Sequence, residues 1–302
     1  MTQEIERKFK VHEGWQQAIA GQPAQTFEQV YFRYQGRKKH PERPFFHDAE
    51  KPLDEVLEKG SQQVSLTLMG DKASLSFYRS DDEGSVVTFP IPVDQAREMA
   101  TKMNFTFFRG GGKAKTINSH EVLLLEPDDK EQVRLRGVIS PVTGRVMQGF
   151  ITLKRDTEIE GVKEEFEFPI SSTQLHDFEV AMRCFENKVV SKTRYTLPAN
   201  DKTGEEARYW EIDEYHLPKG HPKAGLITAE IQLQRLDERF QAPAWLGEEY
   251  KGQERKEVSN RKLAELRHRL PRPGVDAVAF DSGMARLQAG YQQCQETVGR
   301  AA

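Results

Sequence analysis

Residues 4–9 read Glu4-Ile5-Glu6-Arg7-Lys8-Phe9, and the fold turns on how this hexapeptide is read. In an extended strand successive side chains alternate faces, so Glu4, Glu6 and Lys8 share one side and Ile5, Arg7 and Phe9 the other. A half-buried strand ordinarily sets apolar against polar. Here one side carries two carboxylates and an ammonium, and burying like charges together is costly unless something pairs with them. A divalent cation between the carboxylates, with an anion bridging metal and lysine, removes that cost. The six residues alone also fit a solvated edge strand, since 30% of the chain is charged. The strands that follow have to decide.

They repeat the pattern. Val133-Arg134-Leu135-Arg136 places both arginines on one face, and Phe150-Ile151-Thr152-Leu153-Lys154 places Lys154 with Thr152. Glu165-Phe166-Glu167-Phe168 does the same with acids, followed by Ser191-Lys192-Thr193-Arg194-Tyr195, Tyr209-Trp210-Glu211-Ile212-Asp213 and Ala229-Glu230-Ile231-Gln232-Leu233. A sheet whose polar face meets water mixes its charges within each strand, whereas these strands are sorted into basic and acidic ones. Closing such a sheet into a barrel gives every strand an inside and an outside. Lys8, Arg134, Arg136, Lys154, Lys192 and Arg194 would then converge on one lumen with Glu4, Glu6, Glu165, Glu167, Glu211, Asp213 and Glu230. That lining suits a polyanion held together with metal ions, the cations gripping phosphates and the carboxylates holding metal.

Composition sets the outer bounds. The chain has 302 residues, enough for one domain with an elaboration, and a net charge of −3, so no global basic field advertises nucleic acid or an anionic membrane. Its two cysteines, Cys184 and Cys294, match no metal spacing and suit a reducing compartment. The charged first residues lack the apolar run of a secretion signal, and no apolar stretch approaches the ~20 residues of a membrane span, so the expected location is the cytoplasm.

Between the charged strands the chain changes character. Trp15–Ala20 reads as a short helix and Phe27–Tyr34 as a strand with Gln29, Tyr31 and Arg33 on one face. Residues 36–60, with prolines at 41, 44 and 52, read as an irregular excursion. From Val64 to Leu125 an α+β segment follows, with strands at 64–68, 74–77 and 86–91 and an amphipathic helix over 94–103. Its apolar residues suffice for a small core. Arg109-Gly110-Gly111-Gly112-Lys113 lacks phosphate-loop spacing and reads as a loop. Phe89-Pro90-Ile91 before this helix is echoed by Phe168-Pro169-Ile170 before a second helix at 171–185, and Gln63-Val64-Ser65-Leu66 loosely parallels Gln132-Val133-Arg134-Leu135. Either the segment is a partial copy of the charged sheet that has lost its charges, or two strand-then-helix units coincide. Beyond Pro271, Pro273 and Gly274, residues 275–298 have weak helical spacing.

Taken in order, these motifs resemble the CYTH domain of the triphosphate tunnel metalloenzymes, closest to short bacterial-type members. E-I-E-R-K (4–8) is similar to the E-x-E-x-K signature, followed by Q-V-Y-F (29–32), V-R-L-R (133–136), I-T-L-K (151–154), E-F-E-F-P-I (165–170), S-K-T-R-Y (191–195), W-E-I-D-E-Y (210–215), A-E-I-Q-L (229–233) and P-A-W-L-G-E-E-Y (243–250). The resemblance covers 1–35 and 131–270, leaving 36–130 as an inserted α+β segment and 271–302 as a tail. It implies an α+β fold dominated by β: a closed eight-stranded antiparallel barrel with peripheral helices. It also implies hydrolysis of the terminal phosphoanhydride of a triphosphate, either inorganic tripolyphosphate or an organic or nucleoside triphosphate. Nucleotidyl cyclisation, which shares this fold, and catalytically weak polyanion sensing are the alternatives.

By the same resemblance, Glu4, Glu6 and Glu230 hold Mg2+ or Mn2+, and Lys8, Arg134, Arg136, Lys154, Lys192 and Arg194 grip phosphates. Glu165, Glu167, Glu211 and Asp213 occupy the remaining acidic positions, where a second metal or the attacking water is held. Glu4, Glu6, Lys8, Glu165, Glu167 and Asp213 form the catalytic set. The expected partner is a triphosphate small molecule, with no nucleic acid and no membrane, in a monomer or homodimer whose insert has an unknown partner. Three departures stand out: Gln232 where a carboxylate is usual, Lys163 where the acidic strand usually opens with Glu, and the insertion itself.

Overall fold

The computed structural model describes residues 2–32, 62–79, 85–107, 120–125, 131–159, 162–184, 188–199, 208–235 and 237–266. The expected irregular excursion at 36–60, the glycine loop at 109–113 and the tail at 271–302 lie outside these residues.

The main sheet is built from β1 (Thr2–Val11), β2 (Ala24–Tyr31), β8 (Glu131–Ile139), β9 (Val146–Asp156), β10 (Val162–Pro169), β11 (Lys188–Pro198), β12 (Tyr209–Tyr215), β13 (Ile227–Leu233) and the short β14 (Leu246–Glu249). Its order is β10-β9-β8-β2-β11-β12-β13-β1-β14, and β1 also pairs with β10. That last pairing, with Thr2 opposite Glu165 and Ile5 opposite Val162, closes eight antiparallel strands into a barrel and leaves β14 alongside β1. The expected architecture is present. Strand β2 begins three residues before the expected Phe27 and ends at Tyr31. The first helix, α1 (Trp15–Ile19), lies where expected.

The inserted segment forms a second sheet from β3 (Gln62–Met69), β4 (Lys72–Arg79), β5 (Ser85–Ile91), β6 (Phe105–Phe107) and β7 (His120–Leu125), in the order β5-β4-β3-β7-β6. Helix α2 (Val93–Lys102) follows β5, as α3 (Leu175–Cys184) follows β10. The sheet therefore matches the run β10-β9-β8-β2-β11 of the barrel strand for strand. Register agrees as well. The row Ser65–Ser76–Thr88 across β3, β4 and β5 occupies the place of the row Arg134–Thr152–Glu167 across β8, β9 and β10. Even the cross-strand hydrogen bond recurs, Ser76 Oγ to Thr88 Oγ1 at 2.9 Å against Thr152 Oγ1 to Glu167 Oε2 at 3.1 Å. The echo in sequence is thus a half-barrel in space, with hydroxyls where the barrel carries charge. One element departs: β7 fills the place of β2 but follows its neighbours in the chain instead of preceding them.

Among the described residues the insert's core is shared with the barrel. Val64, Leu66, Leu75, Phe77 and Phe89 belong to one buried cluster with Val133, Leu135, Ile151, Leu153, Phe166 and Phe168 on the outer faces of β8, β9 and β10. Phe32 meets Phe77 at 4.9 Å between ring centroids, and Phe89 meets Phe178 of α3 edge-on at 6.0 Å. Burial of each such side chain contributes about 1.5–3 kcal/mol. A buried ionic clasp adds direction to the contact. Glu131 Oε1 accepts from the Asn104 amide at 2.6 Å and from Arg155 at 2.9 Å, and Arg155 also donates to the Lys102 carbonyl at the end of α2. The other side of the barrel is sheathed by a second cluster that includes Ile5, Phe9, Trp15, Trp210 and Trp245. Among the described residues no helix is long and apolar enough to cross a membrane.

Candidate functional site

Alternation along the strands sends one side chain out and the next in, and the barrel's registers gather the inward ones. On β1 and β13 Lys8 stands opposite Glu230, which stands opposite Glu211 on β12. Asp213 on β12 faces Arg194 on β11, and Tyr215 faces Lys192. Beyond β2, which contributes Gln29 and Tyr31, Arg134 and Arg136 follow on β8, Thr152 and Lys154 on β9, and Glu165 and Glu167 on β10. Every candidate from the sequence other than Glu4 lies in a lumen-facing row. Glu4 belongs to β1 opposite Lys163, but its side chain is outside the described residues.

Within the lumen the charges form two banks, each internally paired. On β8, β9 and β10, Arg136 donates to both oxygens of Glu167 at 2.9 Å, and Lys154 reaches Glu165 at 3.0 Å. Arg134 lies 3.6 Å from Glu165 and 3.7 Å from Glu167. On β11, β12, β13 and β1, Arg194 is the hub. It bonds Asp213 through Nε at 2.6 Å and Nη2 at 2.7 Å, Glu230 through Nη2 at 2.9 Å, and Glu211 through Nη1. Lys192 pairs with Asp213 at 2.5 Å and Lys8 with Glu230 at 2.6 Å. Strands β9 and β12 stand four apart in the closed ring of eight, so the banks face each other across the lumen.

These fields set the protonation states. Burial opposes the charge on Lys8, but Glu230, with help from Glu6, overcomes it and raises the ammonium above its usual range. Burial likewise works against the Glu230 carboxylate, yet Lys8, Arg194 and Lys192 hold it well below the ordinary value. Asp213 is also held low against burial, by Arg194 and Lys192. Lys192 goes the other way: burial and neighbouring Arg194 outweigh Asp213 and push it down to about 8. Burial and Arg134 lower Arg136, to which Arg194 of the opposite bank also contributes.

The two ends of the lumen differ. One is covered by α4 (Gly252–Glu257), α5 (Asn260–Leu263) and the turn between them: Lys8 Nζ donates to the Val258 carbonyl at 3.2 Å and Arg255 to the Glu6 carbonyl at 2.6 Å. Leu263 and Ala264 pack against Tyr31, Val190 and Tyr215 there. Away from this cover the side chains of Glu211 and Glu167 are 40% and 32% exposed, whereas those of Lys192 and Asp213 are at most 1% exposed. Gln232 is exposed opposite Glu6, and Lys163 pairs with Asp156 at 3.4 Å. Arg7 points outward and binds Glu249 of β14 through both a 2.9 Å and a 2.5 Å bond. The reading by charge passed over Tyr215, although W-E-I-D-E-Y places it two residues beyond Asp213 on the same face.

Among the described residues no group of three or more His, Cys, Asp or Glu is gathered as a metal site. The donor set nonetheless suits a hard divalent cation, being made of carboxylate oxygens alone. The cations that now hold those oxygens are side chains of the same lumen.

Fold and lining together define a closed eight-stranded barrel with opposed charged walls. No family model matches the chain. Over 114 residues it is 31% identical to the inorganic triphosphatase of Acetivibrio thermocellus, a match covering 37% of this chain and 64% of that protein. The chain thus spans somewhat under two thirds of this relative's length. The crystal structure of the inorganic triphosphatase NE1496 aligns at 19% identity over 88% of this chain and 96% of that one, with a TM-score of 0.35. A second structure, titled as the hypothetical protein NE1496, gives 19% identity over 87% and 97%, with a TM-score of 0.34. Likenesses this loose leave the barrel to rest on its own strand pairing.

Proposed function

We propose that this protein is a metal-dependent triphosphatase that hydrolyses the terminal phosphoanhydride of a triphosphate held in the lumen. The observation that carries the reading is the convergence of Lys8, Lys192 and Arg194 on one wall with Arg134, Arg136 and Lys154 on the wall opposite. A phosphate chain lying between them would be contacted along both sides. The Nε of Arg136, buried and without an acceptor among the described residues, is a donor that an anionic oxygen would take. The ordered motifs and the similarity to a protein named inorganic triphosphatase support the same substrate class.

Phosphoryl transfer asks for alignment and charge neutralisation more than for covalent chemistry. Arg and Lys from two walls supply the alignment. As the cations turn to phosphate they release carboxylates, and Glu6 and Glu230, with Glu211, Asp213 and Glu4, are the residues that would hold Mg2+ or Mn2+. Bound there, such an ion would supply Lewis-acid polarisation of the phosphoryl group and of a water. Glu165 and Glu167 orient the arginines and lysine of their own wall.

Purified protein should be given tripolyphosphate, ATP and thiamine triphosphate in turn, with Mg2+, with Mn2+ and with chelator, and the products identified. Metal-dependent release of orthophosphate is expected. Cyclic AMP as the product from ATP would make the protein a cyclase. Tight tripolyphosphate binding with no turnover under either metal would make it a sensor.

A further inference from the structure

We infer that Tyr215 is a positioning residue for the two buried ammonium groups of the lumen, and that Asn260 of the C-terminal cover sets its orientation. The phenol ring lies near both lysines, 5.9 Å from Lys8 Nζ and 5.7 Å from Lys192 Nζ to the ring centroid. For Lys192 that separation brings the ammonium within reach of the ring quadrupole, the more so when desolvated, whereas Lys8 Nζ lies out beyond the phenol oxygen and meets the residue there. The two lysines come from different strands, β1 and β11, and each has a carboxylate partner in Glu230 or Asp213. Tyr215 is the support that they share, through its ring for Lys192 and through its hydroxyl for Lys8.

The hydroxyl completes the device. It accepts from Lys8 Nζ at 3.4 Å and donates to Asn260 Oδ1 at 2.6 Å. Both bonds are compatible with a single proton on the phenol, so the chain ammonium to hydroxyl to amide has one consistent direction. Asn260 sits at the start of α5, where Leu263 and Ala264 anchor the segment against Tyr215 itself. A lysine stem loses rotamer freedom when it is ordered. Fixing two of them before an anion arrives removes that cost from binding. The cover over this end of the barrel therefore does more than exclude water: through Asn260 and Tyr215 it sets where two lumen cations stand. Its consequence for substrate rests on the triphosphatase reading; the positioning itself does not.

The test uses the full chain labelled with 15N-lysine, wild type and carrying Tyr215→Leu, Tyr215→Phe or Asn260→Ala. Ammonium protons buried beside an aromatic ring exchange slowly and take a ring-current shift, so Lys8 and Lys192 are observable without any ligand, with assignment by Lys8→Arg and Lys192→Arg. Tyr215→Leu is expected to move both resonances, while Tyr215→Phe and Asn260→Ala move that of Lys8. With tripolyphosphate, KM should rise about tenfold in Tyr215→Leu with little change in kcat. It should rise less in the other two, whose effects should not add in the double variant because they break one chain. Unmoved resonances in Tyr215→Leu overturn the inference. If that variant does not fold, unmoved Lys8 resonances in both Tyr215→Phe and Asn260→Ala overturn it instead. Resonances that move in a protein that neither binds nor hydrolyses tripolyphosphate would uphold the positioning and remove the proposed function.

Discussion

Lys8 Nζ and Glu230 Oε1 lie 2.6 Å apart across paired strands, with both side chains 6% exposed. A carboxylate in this place neutralises the buried cations beside it, and under the proposed function it is one of the residues that would hold metal. Removing one partner of a buried pair typically costs about 3–5 kcal/mol, because the other is left uncompensated. Glu230→Gln should therefore lower stability by an amount of that order, and tripolyphosphate added without metal should restore much of it by binding the exposed cations. Glu6→Gln should abolish metal-dependent turnover with a smaller loss of stability. Thermal melts with and without tripolyphosphate, beside phosphate-release assays, separate the two roles. Normal turnover in both variants would dismiss the metal assignment.

Arg194 binds Asp213, Glu211 and Glu230 at once. Arg194→Ala should weaken tripolyphosphate binding by about 2–5 kcal/mol, as for a desolvated charge pair. Arg134→Ala on the opposite wall should weaken it by a similar amount, and calorimetry reads both. Affinity unchanged in each would show that the polyanion does not lie between the walls.

The barrel residues that flank the insert are adjacent, Phe32 N donating to the Val133 carbonyl at 3.1 Å, which suggests a separable unit, but the insert's apolar face is continuous with the outer wall of β8, β9 and β10. A chain in which a Gly/Ser linker replaces residues 37–130 should expose that wall. Low soluble yield, or strong binding of a hydrophobic dye, is the expected result. A soluble barrel melting at the wild-type temperature would show that the wall is stable uncovered.

Gly149 lies beneath α3, and a Cβ there would stand 2.7 Å from the ring of Phe178. Gly149→Ala should destabilise by about 1–3 kcal/mol through overpacking. The lumen faces the other way, so tripolyphosphate affinity should hold. Denaturant unfolding and calorimetry on the same variant test both halves of this expectation.

The Arg7–Glu249 pair joins β14 to the outside of β1, and its hydrogen bond to Arg7 holds the Glu249 carboxyl below its ordinary range. A carboxyl with a depressed folded-state pKa stabilises the fold above its unfolded value of about 4.3 and loses that stability as pH falls. For a partly exposed pair the amount is roughly 1 kcal/mol or less. As pH falls from 7 through the depressed range in which the folded Glu249 carboxyl titrates, wild type should lose more stability than Glu249→Gln by that margin. Identical losses would show that the pair contributes nothing.

Sequence by itself pointed to the barrel, because acids and bases sorted onto alternate positions of strand after strand are compensated across a common lumen and because the ordered motifs resemble those of the CYTH domain. It also named the lining, since alternation with a period of two fixes which residues share a face once the strands are known. Which charges pair was a matter for the tertiary structure alone. Nothing in Ser191-Lys192-Thr193-Arg194 says that Arg194 will bind three carboxylates while Lys192 holds one, because cross-strand register depends on how the sheet closes. The insert shows the same division. Its likeness to half of the barrel was legible in Phe89-Pro90-Ile91 and Gln63-Val64-Ser65-Leu66. That its core is the barrel's own outer wall was not, for a hydrophobic face is equally apolar whatever covers it, and only packing decides what does.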